Sequence, residues 1–338
     1  MSDERTIRLA HGSGGRLMHE LIEQTIARKL GNPVLSELGD SARLDGLLPG
    51  GASIAFTTDS YVVQPLFFPG GDIGRLAVAG TVNDLAVAGA RPVCISLAFV
   101  IEEGLPVADL ERVLGSVAAT ADAAGVRVVT GDTKVVERCG LGGLVVNTSG
   151  IGVLREGVRI GADRARHGDA VILSGTIGDH ETAILIAREE LSIGEVIESD
   201  CAPLGGLVEA VLEACPEVRA MRDPTRGGLA TTLCEIAESS GVGITIDESA
   251  IPIRRSVASV CDILGFDPVY MANEGKAVIV APGDAADRVV DALHSHELGR
   301  DAAVVGEVVA GGGVTMRTRV GGARPVVMLE GVQLPRIC

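Results

Sequence analysis

The sequence predicts a mixed α/β (α+β) protein of two domains. Short β-branched runs alternate along the whole chain with Ala- and Leu-rich stretches of helical period. The 338 residues exceed the roughly 250–300 at which a single core stops growing. Apolar residues make up 46% of the chain but aromatic ones only 2%, so the core must be packed from Ala, Val, Leu and Ile. A composition this apolar folds rather than staying disordered.

In chain order, helical spacing first appears over residues 17–30 and a β-branched run over 54–58. A helix over 73–88, a strand over 93–100, a helix over 107–124 and strands over 127–130 and 144–153 complete the first half. The charged, Gly-containing stretch 154–168 follows an apolar strand and reads as a boundary. Beyond it, strands are expected over 170–173, 243–246, 277–280 and 303–308. The second-half helices are expected over 181–190, 204–213, 227–239, 255–264 and 285–296. Residues 321–338 carry Pro325 and Pro335 and read as a last strand followed by a mobile tail.

Charge and cysteine content exclude several functions. The 29 Lys and Arg against 45 Asp and Glu give a net charge of −16, with no basic cluster, which argues against nucleic acid as a partner. The most nearly membrane-like stretch, 76–90, is interrupted by Asn83 and Asp84, and the charged start has no apolar leader. Seven cysteines without a C-x-x-C pair point to reduced thiols in the cytoplasm.

No P-loop and no G-x-G-x-x-G is present. Instead, acidic residues recur in Gly, Thr and Asn contexts at expected strand ends and helix starts: Asp40, Asp59, Asp72, Asp84 beside Asn83, Asp132 and Asp223. Each alone fits a turn or an N-cap; as a set they suit Mg²⁺, which takes oxygen ligands and bridges phosphates. The turn His11-Gly-Ser-Gly-Gly-Arg16, with Gly14 and Gly15 ahead of a helix, offers either amides to an anion or a flexible cap. Lysine is rare, 3 against 26 arginines, yet Lys134 and Lys276 both fall in polar motifs, and ammonium and guanidinium are not interchangeable. Glu274, beside Lys276, is a candidate for proton transfer. Cys338, the last residue, is expected to be an exposed thiol whose pKa the α-carboxylate raises and Arg336 opposes.

Together the segments HGSGGR, FTTDSYVVQPLFFPGGDIG, GTVNDLAVAGARP, VVTGDTKVVERC, DPTRGGLATTLCEIA, ANEGKAV and the final LPRIC resemble the HypE family of hydrogenase maturation factors. That family lies within the ATP-binding superfamily of aminoimidazole ribonucleotide synthetase and selenophosphate synthetase. The resemblance spans residues 8–338; the acidic motifs are common to the superfamily, while the terminal Pro-Arg-Ile-Cys is particular to HypE.

The resemblance implies the fold of aminoimidazole ribonucleotide synthetase, with residues 1–155 binding ATP and pairing their sheet across a homodimer interface. Residues 156–320 would form an α+β sandwich, and 321–338 the last strand and the mobile tail. It implies that Cys338 receives a carbamoyl group from the carbamoyltransferase HypF, and that ATP-dependent dehydration turns the thiocarboxamide into a thiocyanate. The cyano group would then pass to a HypC–HypD complex for the iron of [NiFe] hydrogenase. Matching motifs put forward Asp59, Asp84 and Asp223 as Mg²⁺ ligands, with Asp40, Asp72, Asn83, Asp132, Gly14 and Gly15 around the nucleotide. Thr133 and Lys134 would contact phosphates or the substrate oxygen, with Glu274 as base. A nucleotide-regulated carrier or scaffold, and a sister kinase or synthetase, are the alternatives.

Overall fold

A computed structural model describes residues 7–12, 14–30, 32–46, 52–189, 195–329 and 337–338. Two sheets organise it. The first has the order β1-β2-β7-β5-β6, from β1 (Ala42–Leu44), β2 (Ile54–Tyr61), β5 (Ala90–Glu102), β6 (Arg127–Val136) and β7 (Leu144–Leu154). A small hairpin of β3 (Phe67–Phe68) and β4 (Gly71–Asp72) stands beside it. The second sheet has the order β14-β13-β10-β12-β8-β11-β9. Its strands are β8 (Asp169–Leu173), β9 (Ala220–Arg222), β10 (Gly243–Asp247), β11 (Val278–Pro282), β12 (Ala303–Val309), β13 (Gly313–Arg317) and β14 (Ala323–Val326).

Burial follows from sequence period. On β7, buried residues alternate with partly exposed ones, as a one-faced strand requires. The run Asp-Ala-Val-Ile-Leu of β8 is buried throughout, because the second sheet is covered on both faces. Val171 and Leu173 join Val278 and Val280 in one layer, and Ala170 and Ile172 join Ile279 and Ala281 in the other.

The expected helices all form. The first is α1 (Arg16–Leu21), continuing through a π-turn at Ile22–Ala27 into α2 (Arg28–Leu30). The others are α3 (Ile73–Val87), α4 (Val107–Ala123), α5 (Asp179–Arg188), α6 (Gly205–Ala214), α7 (Gly228–Ser240), α8 (Arg255–Leu264) and α9 (Ala286–His294). Helix α3 is buried nearly all round, since it packs on the first sheet and also sends Ala86 and Val87 into the core of the second.

Two expected nucleotide residues are committed to this frame instead. Asp72 caps α3, accepting from the Gly74 and Arg75 amides at 2.8 and 3.1 Å, and its other oxygen accepts from Ser116. Asn83 donates to Ala202 O and Glu274 O at 3.1 and 3.2 Å and accepts from the Leu204 amide at 2.7 Å, stitching α3 to the second half. The strand expected over 127–130 runs on to Val136, because β6 stays paired in parallel with β5 as far as Glu102. Asp132, Thr133 and Lys134 are therefore strand residues rather than loop residues. Removing the cap in Asp72→Ala should cost about 1–2 kcal/mol in urea unfolding, with ATP binding by calorimetry unchanged.

Candidate active site

The remaining acidic motifs converge. Residues 55, 57, 59 and 61 of β2 share one face of the strand, placing Asp59 and Tyr61 over α3, which carries Asp84. Thr57 Oγ1 lies 2.7 Å from Asp84 Oδ2. Across from them, β9 delivers Arg222 and Asp223, and the turn into α7 delivers Thr225 and Arg226. That turn needs glycine: Gly228 has φ +59°, and a Cβ there would lie 2.5 Å from the Met271 carbonyl. Gly14, at φ +75°, lets the Gly-rich segment approach Arg226, whose carbonyl would be 2.7 Å from a Cβ. Gly15 precedes α1 and accepts from the amides of Met18 and His19.

These residues surround a cavity of about 460 Å³ that reaches from Met18 and Ile22 of the N-terminal helix and Leu35 of the turn after it to Asp40, Asp59, Asp84 and Asp223. The sequence assigns nucleotide binding to residues 1–155, but the cavity is completed by Arg222, Asp223, Arg226 and Glu235 from the second half. Behind it lies a chamber of about 30 Å³ lined by Tyr61, Gly80, Glu274 and Cys338. Asp59, Asp84, Asp223, Thr225 and Arg226 line both spaces, so they form the wall between them.

The wall is electrostatically strained. Burial raises the Asp84 carboxyl well above the usual range, with Asp223, Asp40 and Asp59 adding to the shift. Burial, then the charge of Asp40, pushes Asp223 up to about 7. Asp40 is bonded to Arg222 at 2.6 Å, and that guanidinium also meets Glu235 at 3.1 Å, which in turn pairs with His19 at 3.0 Å. Arg226 is 3.9 Å from Asp59. Among the described residues, no basic side chain stands at ion-pair distance from Asp84 or Asp223.

Cys338 is not the exposed end expected of it. Its thiol sits in the rear chamber beside Glu274, and Ile337 is buried in the first core together with Ile184 and Ala272. Burial, not the terminal carboxylate, dominates in raising the thiol pKa; Arg226 opposes it, and Glu274 and Asp59 add to it. Arg336 lies outside the described residues. Glu274 is likewise raised by burial and by Asp223 and Asp200, and its Oε1 has no hydrogen-bond partner. Lys276 does not reach the chamber: its ammonium pairs with Asp200 at 3.3 Å. Asp132, Thr133 and Lys134 also stay away, three strands from β2, or roughly 14 Å at ~4.8 Å per strand. The sequence does not single out Arg222 and Arg226 as site residues, nor His180, which holds Ile337.

The chain is similar to known proteins over nearly its whole length. Residues 39–154 match the family model of the AIR synthase related protein N-terminal domain, and residues 166–319 that of its C-terminal domain. The chain is 51% identical over 335 residues to the carbamoyl dehydratase HypE of Azotobacter vinelandii, covering 98% of this chain and 97% of that protein. It resembles the solved HypE–HypF complex at a TM-score of 0.86 and 47% identity, over 91% of this chain and 99% of the other. It also resembles a HypE solved in complex with ATP, at 0.82 and 46%, over 98% and 100%.

The raised carboxyl at Asp223 has a consequence for stability. Its folded pKa of about 7 exceeds the 3.8 of a free aspartate side chain. Its contribution is thus full below pH ~4 and lost as pH rises through ~7. Asp223→Asn should stabilise the ligand-free protein at pH 8, on the order of 4 kcal/mol, and leave it nearly unchanged at pH 4. Urea titrations at the two pH values check this.

Proposed function

The chain belongs to the HypE family of carbamoyl dehydratases, and on that premise we propose that it dehydrates a carbamoyl group carried on its own Cys338. The observation that carries this reading is the position of that thiol, in a chamber sharing its wall with a cavity large enough for a nucleotide. A group built on the sulfur has Asp59, Asp84, Asp223, Arg226 and Glu274 as neighbours.

In this reading HypF carbamoylates Cys338, and the thiocarboxamide loses water to give a thiocyanate. Its cyano group then goes through HypC–HypD to the iron of [NiFe] hydrogenase. An amide oxygen leaves poorly, and ATP supplies the phosphoryl group that makes it a good leaving group. Asp59, Asp84 and Asp223 suit Mg²⁺ because they are crowded and under-compensated, so a dication relieves the repulsion that raises the proton affinity of Asp84 and Asp223. Among the described residues no three acidic, His or Cys side chains form a ready-made metal cage. Mg²⁺ bound through one or two carboxylates and substrate phosphates needs none.

This chain's own groups then divide the work. Arg226 sets a positive charge against the carboxylates and the thiol. The amide nitrogen must shed two protons, and Glu274 offers an unpartnered oxygen with raised proton affinity beside the sulfur. Asp40 holds Arg222 in the cavity wall.

Lys134 enters through a second copy. Nine of the ten residues of the edge strand β6 are exposed, among them Val128, Val129 and Val135, and an edge of this kind calls for a cover. A homodimer closed through β6 covers it and carries Asp132, Thr133 and Lys134 of one copy toward the cavity of the other. Residues 1–155 are then the dimerising, nucleotide-binding domain and 156–320 the second domain. All seven cysteines are free, in keeping with the cytoplasm, and among the described residues no helix is long and apolar enough to cross a membrane.

Intact-mass spectrometry tests the central step. After incubation with HypF, carbamoyl phosphate and ATP, the protein should gain one carbamoyl group and then lose one water, whereas Cys338→Ala should bind ATP yet gain nothing; an adduct elsewhere in that variant overturns the reading. For the edge, Val129→Glu should yield monomers in light scattering and reduce dehydration at least tenfold. Lys134→Arg should stay dimeric and lose the same step.

A further inference from the structure

The start of α5 is unusual for a helix terminus: Asp179, His180, Glu181 and Thr182 are all buried. His180 is fully enclosed, with the edge of its ring against Phe68 at 5.6 Å between centroids. Both ring nitrogens are engaged. Nε2 lies 2.7 Å from the Ile337 carbonyl oxygen, and Nδ1 2.8 Å from Ser199 Oγ. A carbonyl only accepts, so Nε2 carries the proton and Nδ1 accepts from the Ser199 hydroxyl. Ser199 Oγ itself accepts from the Cys201 amide at 3.1 Å, which fixes the hydroxyl. Tautomer and ring orientation are thus set by residues 199–201, and the resulting N–H points at the peptide one residue before the thiol.

The same short segment positions the proposed base. Asp200 Oδ1 accepts from the Glu274 amide at 3.0 Å while its other oxygen meets Lys276. Gly275 packs so closely on it that a Cβ would lie 1.9 Å from the Asp200 carbonyl. Ser199 is in turn fixed to the β3–β4 hairpin, its amide donating to Pro69 O at 2.8 Å. One rigid segment therefore sets both Glu274 and the end of the chain.

We propose that His180 is a positioning residue, a latch whose Nε2–H holds the Ile337 carbonyl and thereby keeps Cys338 in the inner chamber. The inference rests on Cys338 as the substrate carrier, and it assigns to a residue outside both cavities the balance between the enclosed and the released thiol. Releasing the latch frees the thiol for reagents and withdraws it from dehydration, so the two processes should move in opposite directions. A loss of fold would also expose the buried thiols of Cys215 and Cys261, which release of the latch leaves protected.

The test is alkylation of the full-length protein by iodoacetamide, read by peptide mass spectrometry, with exposed Cys139 as internal reference. In His180→Phe, which keeps a ring beside Phe68 but has no donor, Cys338 should react about tenfold faster, the size expected for one buried hydrogen bond. Cys139 should be unchanged and single-turnover dehydration of carbamoylated protein should fall. His180→Gln, with an amide N–H, should recover part of both. If His180→Phe opens the fold, seen as labelling of buried Cys215 and Cys261, Ser199→Ala is read instead and should accelerate Cys338 alone. An unchanged Cys338 rate in a folded variant overturns the latch, as does slower dehydration without faster alkylation. Alkylation involves no carbamoyl chemistry, so failure of the carrier reading would show separately, as wild-type Cys338 that HypF never modifies.

Discussion

Repulsion among four crowded carboxylates is the constraint around which the site is built. Asp40, Asp59, Asp84 and Asp223 arrive from a loop, a strand, a helix and a turn of the other half, and the first, second and fourth all raise the proton affinity of Asp84. Like charges in a poorly hydrated setting separate or protonate unless the scaffold over-determines their positions. Here it does. Arg222 is shared between Asp40 and Glu235, Thr57 stands against Asp84, and Arg226 spans from Asp59 to the Gly12 carbonyl. The cations are too few to neutralise the wall, and the proposed Mg²⁺ would make up part of the shortfall.

The junction of the two halves is stiff for the same reason. Helix α3 lies between them with hardly any exposed surface, and Asn83 satisfies its amide with three bonds across the seam. A buried amide left unpaired there would cost about 1–3 kcal/mol, so the seam resists sliding. One of those bonds goes to the Glu274 carbonyl, so the same amide that joins the halves also fixes the backbone of the proposed base.

Much of this was legible in the sequence, and the gaps have physical causes. The helix over 73–87 was evident as a long Ala-, Val- and Leu-rich stretch, and that over 107–123 because its period and burial coincide. The strand at 127–136 was cut short because its second half is polar, and only pairing with β5 keeps it extended. Asp40, Asp59, Asp84, Asp223, Glu274 and Cys338 do come together, since acid in a Gly/Thr context and a terminal thiol are rare enough to stand out. Asp72 and Asn83 carry the same local signature but serve as cap and stitch, a difference that only partners distant in sequence decide. His180 was invisible: Gly-Asp-His-Glu reads as a solvated helix start, and its burial depends on a carbonyl 157 residues away. Arg226 was hidden among 26 arginines for the opposite reason, a common residue in an uncommon place.

The small size of the rear chamber sets a limit on chemistry. A space of about 30 Å³ holds two or three water-sized groups at most, at ~10–15 Å³ each. A planar cap of three heavy atoms on the sulfur is near that ceiling, and a thiol extended by a peptide or glutathione is far beyond it. On the proposed reading the chamber would select by volume: a chain whose last sulfur carried a bulky mixed disulfide would not fit inside it.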